Sequence, residues 1–217
     1  MTEPQPSSEP PELSPHRLAT LSDGIFAIAM TLLVLAIEVP SSAIVGSADI
    51  PHLLLQLWPK LLSYVVSFVV LGVFWEGHHG QFHFIHRADQ ILIWLNMIFL
   101  MLISAVPFSA TLLARHGLQR TVVVFYGAHL VAVGLVQLAM WTYATRAGRL
   151  VRADLAPDAI RRETWHMLTA AAVYIGAMLL SLVSTVLSIA LFASAPLLYI
   201  VPSLARRRAG RATADDG

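Results

Sequence analysis

Residues 17–40, RLATLSDGIFAIAMTLLVLAIEVP, are apolar enough to cross a bilayer, yet Arg17 and Asp23 fall in the first two turns. A helix turns about 100° per residue, and with Ile28 at zero Leu32 lies at about +40° and Leu35 at about −20°. Arg17, Leu21, Gly24, Ile28, Thr31/Leu32, Leu35 and Val39 therefore share one stripe, and Ser22 and Asp23 point to the opposite side. Periodicity alone leaves the stripe facing lipid or a neighbouring helix. Asp23 asks for more, because an ionised carboxylate inside a span costs about 2.5–3.5 kcal/mol on insertion scales and calls for a partner. Arg17 below it, or a histidine from the same end of another span, can supply one, and Ser22 can add a hydrogen bond.

Working outward, the 217 residues are 57% hydrophobic and 12% charged, which marks an all-α integral membrane protein rather than a soluble domain. With no cysteine, disulfides, thiolate metal sites and Cys nucleophiles are excluded. The absence of a basic stripe excludes nucleic acid as a partner. Residues 1–16 open with MTEPQPSSEPPELSP, which cannot build a core and reads as a disordered cytoplasmic N-terminus without the basic start of a cleaved signal peptide.

Six apolar segments reach the length of about 20 residues that a span needs: 18–39, 54–76, 89–113, 119–144, 165–185 and 187–205. The last two are divided by a turn near Thr185–Ser188, or else form one very long helix. Six spans put Arg17, Arg87, Arg146, Arg149, Arg152, Arg161, Arg162, Arg206, Arg207, Arg208 and Arg211 on one side, and Lys60, Arg115 and Arg120 on the other. The positive-inside rule then makes both termini cytoplasmic, with a six-helix transmembrane domain over 17–205 and a basic tail over 206–217. The charged linker 145–164 is a topology determinant or a lipid-facing element.

The segment WEGHHGQFHFIHRAD (75–89) lies between the second and third spans and carries His78, His79, His83 and His86. His79, His83 and His86 share a helical face, and imidazole is a common metal ligand. Elsewhere His52, His116, His129 and His166 are scattered singly, unlike the repeated boxes of a membrane metalloenzyme. The readings left open are a lock with Asp23 and Arg17, plain interfacial residues, or a metal site.

Arg17-x3-Leu21-Ser22-Asp23 followed by GIFAIAMTLLVLAI resembles the signature first helix of the transmembrane protein 175 family of potassium-permeable channels. The family has Phe where this chain has Leu21. FWEGHHGQF (74–82) resembles the family's Trp-x2-His-His segment, and LNMIFLMLISAVPFSATLL (95–113) is similar to its third span, with Asn96, Pro107 and Phe108 in matching places. The signature occurs once, as in the bacterial single-repeat members.

The resemblance implies a homotetramer in the plasma membrane, with the first helix of each subunit around a central pore. It places Ile28, Leu32 and Leu35 at an apolar constriction and Thr31 at a polar ring. Arg17, Ser22, Asp23, His78 and His79 become the lock that holds this helix. The activity implied is a potassium-permeable channel with no cofactor, no bound metal and no enzymatic function. Without a TVGYG-like loop, selectivity would arise from partial dehydration at the apolar ring. A proton-coupled transporter is the alternative, although Asp23, Glu38, Glu76 and Asp89 all lie near span ends. A His-box metalloenzyme and a non-conducting structural protein are the others.

Overall fold

The computed structural model describes residues 14–37 and 50–195, apart from Leu118 and Ala153. The N-terminal segment up to residue 13, the end of the first expected span, and residues 196–217 with the basic tail lie outside the described residues. Among the described residues the regular elements are helices. They are α1 (Pro15–Leu32), α2 (Ile50–Gln56), α3 (Trp58–Phe84), α4 (Gln90–His116), α5 (Arg120–Thr145), α6 (Pro157–Leu180) and α7 (Thr185–Ala195). Among the described residues four segments are long and apolar enough to cross a membrane, namely α1 with its 3-10 extension, α3, α4 and α5.

The first segment is not one uniform α-helix. It starts with Pro15 in the first turn, where the missing N–H is not needed. It tightens after Leu32 into a 3-10 turn over Leu33–Ala36. Side chains three apart eclipse in a 3-10 turn, so Leu35 stays on the face of Leu32.

The second span is displaced from its expected bounds. Residues 50–56 form the separate α2, and α3 begins at Trp58 with Pro59 in its first turn. It then continues eight residues past the expected end at 76, so Trp75–Phe84 are its last three turns rather than a connection. Hydropathy falls at Glu76, but the backbone ladder propagates through Gly77 and Gly80. Gly77 serves packing here, since a Cβ on it would stand 2.9 Å from Gln137 Nε2. His86 falls beyond the helix, off the face that carries His79 and His83.

Asp89 starts α4 by accepting the Leu92 N–H at 2.9 Å, and its other oxygen accepts from the Tyr143 hydroxyl on α5. The α3–α4 connection is tied to the α5–α6 connection through His86 N–H to Leu150 O at 2.8 Å and an isolated bridge between Ile85 and Val151. One end of the bundle thus gathers Arg87, Arg146, Arg149, Arg152, Arg161 and Arg162. Lys60, Arg115 and Arg120 lie at the other end. The expected linker 145–164 is half helix, because α6 already begins at Pro157.

A break at 181–184 separates α6 from α7, slightly earlier than expected. The chain doubles back there: Ser188 Oγ donates to Ala177 O at 2.6 Å, and Tyr174 stacks on Phe192 at 6.3 Å. α1 packs on α3 and α4, α4 on α5, and α5 on α6, so α1 and α6 lie on opposite flanks.

Candidate functional site

Periodicity divides α1 into two faces. Leu18, Ser22, Phe26, Ala29 and Leu33 recur four, four, three and four residues apart, and all are buried against α3 and α4. The opposite stripe stays uncovered by its own chain, with Leu21 46%, Ile28 57%, Leu32 42% and Leu35 70% exposed. Thr31 lies on that exposed face, and its hydroxyl donates to Ile28 O at 2.8 Å. That bond uses the only hydroxyl proton and leaves oxygen lone pairs facing outward. Val39 of the expected stripe lies outside the described residues.

The buried face is held by a polar chain crossing three helices. Ser22 Oγ donates to Leu18 O at 2.8 Å within α1 and accepts from Asn96 Nδ2 of α4 at 3.3 Å. Asn96 Oδ1 lies 2.9 Å from His78 Nε2 of α3. Since the amide nitrogen is engaged by Ser22, the oxygen is the acceptor, and His78 carries its proton on Nε2. Ser22, His78 and Asn96 are all buried. His78 is stacked on Phe82 at 4.4 Å and Phe99 at 5.2 Å, with Phe26 of α1 at 6.2 Å. Apolar walls exclude competing donors, so an unmade bond here would leave a buried polar group costing roughly 1–3 kcal/mol.

Asp23 is linked separately. Its Oδ1 accepts from Trp75 Nε1 of α3 at 2.8 Å, rather than from Arg17 or a histidine. Trp75 in turn stacks on His79, with ring centroids 5.5 Å apart. His79 therefore reaches Asp23 through an aromatic ring, and Arg17 stands exposed at the start of α1. The sequence reading brought Ser22, Asp23, His78 and His79 to this region but missed the two residues that join them, Trp75 and Asn96. A lone amide in the apolar run LNMIF was the available signal, since intramembrane polar groups find partners.

His79, His83 and His86 are exposed, and among the described residues no three His, Asp or Glu side chains converge as a metal site would require. At the charged end, Arg152 donates from Nε to Asp154 at 3.0 Å and holds its carboxyl below the usual range.

A sequence profile described as the endosomal/lysosomal potassium channel TMEM175 matches residues 17–107. A potassium channel of Streptomyces collinus is 38% identical over 138 residues, which cover 62% of this chain and 66% of that protein. A potassium channel of Chamaesiphon minutus is 35% identical over 185 residues, covering 83% of this chain and 91% of that protein. The fold superposes on the crystal structure of a lysosomal potassium-selective channel TMEM175 homologue from Chamaesiphon minutus with a TM-score of 0.78. That match has 30% identity and covers 87% of this chain and 97% of the other.

Proposed function

The chain belongs to the TMEM175 family of potassium channels, a family of ion channels rather than enzymes, and we propose that it forms a homotetrameric, potassium-permeable pore lined by α1. The observation that carries this reading is the uncovered stripe of Ile28, Leu32 and Leu35, opposite a face fixed by Ser22, Phe26, Ala29 and Leu33. An apolar stripe left uncovered on a helix whose other face is anchored has use as a pore wall. A single pore helix per subunit requires a closed ring of copies around the path.

In this reading Ile28, Leu32 and Leu35 form successive apolar rings that a hydrated cation passes only by shedding part of its shell. The less tightly hydrated potassium ion loses less there than sodium. Thr31, between Ile28 and Leu32, offers hydroxyl oxygens that offset part of the dehydration. When the rings narrow, the path dewets and closes. Ser22, Asp23, His78 and His79, with Arg17 at the entry, keep α1 from rotating, so that the stripe and not the polar face meets the ion. Asn96 and Trp75 complete this anchorage.

We place six spans in a plasma membrane, with α6 and α7 as the fifth and sixth and both termini cytoplasmic. The end that gathers six arginines is then the inner one. Reversal potentials of the reconstituted protein between potassium and sodium solutions test the reading. A reversal displaced towards the potassium equilibrium potential is expected. A reversal near zero or on the sodium side contradicts it.

A further inference from the structure

On the flank away from α1, at the end of the bundle that carries few arginines, α3, α4 and α7 line an open cavity of about 520 Å³. That size falls within the range of about 300–1,000 Å³ typical of sites for small amphiphilic or drug-sized ligands. Its lining is graded along the membrane normal. Arg115, His116 and Gln119 stand at the α4–α5 corner, where the helices leave the bilayer. Leu62, Val66, Leu113 and Phe192 line the part that runs inward. The deep polar group, Ser63, donates its hydroxyl to Ala110 O at 3.3 Å and so makes no demand on a ligand. Among the described residues that line the cavity, none is acidic.

A cationic and amide rim over an apolar shaft matches one kind of occupant, and water is not it. Water in the shaft would find few partners, whereas an acyl chain replaces lipid contact with protein contact at no polar cost. We propose that this cavity is a phospholipid site: one acyl chain of an anionic phospholipid lies between α3 and α7, and its phosphodiester sits against Arg115 with His116 and Gln119 beside it. With the arginine-rich end inside, this lipid belongs to the outer leaflet, and only that assignment rests on the orientation given above. The lipid would wedge the α3–α4–α7 corner without touching the pore stripe.

The test uses the full-length protein in phosphatidylcholine vesicles, with phosphatidylglycerol carrying a photoreactive diazirine in its acyl chain and labelled peptides mapped by mass spectrometry. Labelling is expected at residues 59–66 and 186–195. Unlabelled phosphatidylglycerol should compete about fivefold better than phosphatidylcholine, the ratio that one arginine at an anionic surface supplies. Arg115→Gln should retain the labelling and lose that preference. Leu62→Trp, which fills the shaft from a half-exposed position, should abolish labelling there while leaving that of the exposed α6 residue Leu168 unchanged. Labelling of residues 59–66 and 186–195 that persists in Leu62→Trp, equal competition by the two phospholipids in the wild type, or better competition by a free fatty acid would each overturn the proposal. Because labelling needs no ion flux, its failure leaves the channel reading intact, and failure of conduction leaves the lipid site intact.

Discussion

His78 Nε2 and Asn96 Oδ1 lie 2.9 Å apart in a pocket walled by phenylalanines, and the other end of the same amide holds Ser22 of α1. One side chain thus sets the distance between three helices and the rotation of the helix that presents Ile28.

The Ser22–Asn96 bond is a direct target for a double-mutant cycle. Interhelical hydrogen bonds in membranes average about 0.6 kcal/mol and reach about 1.7 kcal/mol. Ser22→Ala and Asn96→Ala, alone and combined, should show a coupling in that range by reversible unfolding in bicelles. A coupling of zero would mean that the two residues act independently.

Trp75→Phe keeps a ring against His79 and removes the donor to Asp23. It should lower stability by about 1 kcal/mol, the net value of one hydrogen bond at a partly exposed site. Adding Asp23→Ala to Trp75→Phe should then cost much less than Asp23→Ala costs in the wild type. Losses that simply add would remove Trp75 as the partner of Asp23.

Two glycines of α5 separate packing from helix propensity. A Cβ on Gly127 would stand 2.9 Å from both Met178 Cβ and Phe192 Cζ, whereas on Gly134 the nearest atom is Phe74 Cε1 at 3.9 Å. Gly127→Ala should destabilise by about 1–3 kcal/mol through overpacking. Gly134→Ala should stabilise by about 0.4–1 kcal/mol by restricting the unfolded chain. Thermal unfolding of the two variants side by side checks both signs.

Asp154 carries the acid-side pH dependence that the connection between α5 and α6 can show. Arg152 lowers its pKa, so the pair contributes only above the unfolded carboxylate value and loses its contribution as pH falls through the lowered one. Both side chains are more than half exposed, at 55% and 70%, so solvent screens the pair. Asp154→Asn should leave the melting temperature at pH 7 unchanged within error and slightly flatten its fall in acid. A marked loss at pH 7 would mean that the connection bears a load not visible in its contacts.

Much of this arrangement is legible in the sequence because membrane insertion writes it in long-period patterns. The α1 stripe, the extents of α4 and α5, and the sorting of arginines by side all follow from composition over tens of residues. The end of α3 does not, because a hydropathy window stops at Glu76 while the backbone ladder continues, and that continuation is what turns His78 inward. The change to a 3-10 turn after Leu32 is equally silent, since no proline or glycine marks it. Trp75 and Asn96 were present in recognisable segments, yet the pairing of Trp75 with Asp23 spans 52 residues and that of Asn96 with Ser22 spans 74. Periodicity on one helix says which way a group points. It does not say which residue of another helix waits there.

The proposed narrowing of the conducting path by Ile28 can be tested by potassium flux from proteoliposomes under a potassium gradient, with valinomycin giving full release. Wild type and Ile28→Asn would be compared with potassium and with sodium as the permeant ion. The account predicts potassium-favouring flux in the wild type, and flux that persists without that preference in Ile28→Asn. Flux and preference both unchanged by Ile28→Asn would contradict it and remove the α1 stripe from the pore.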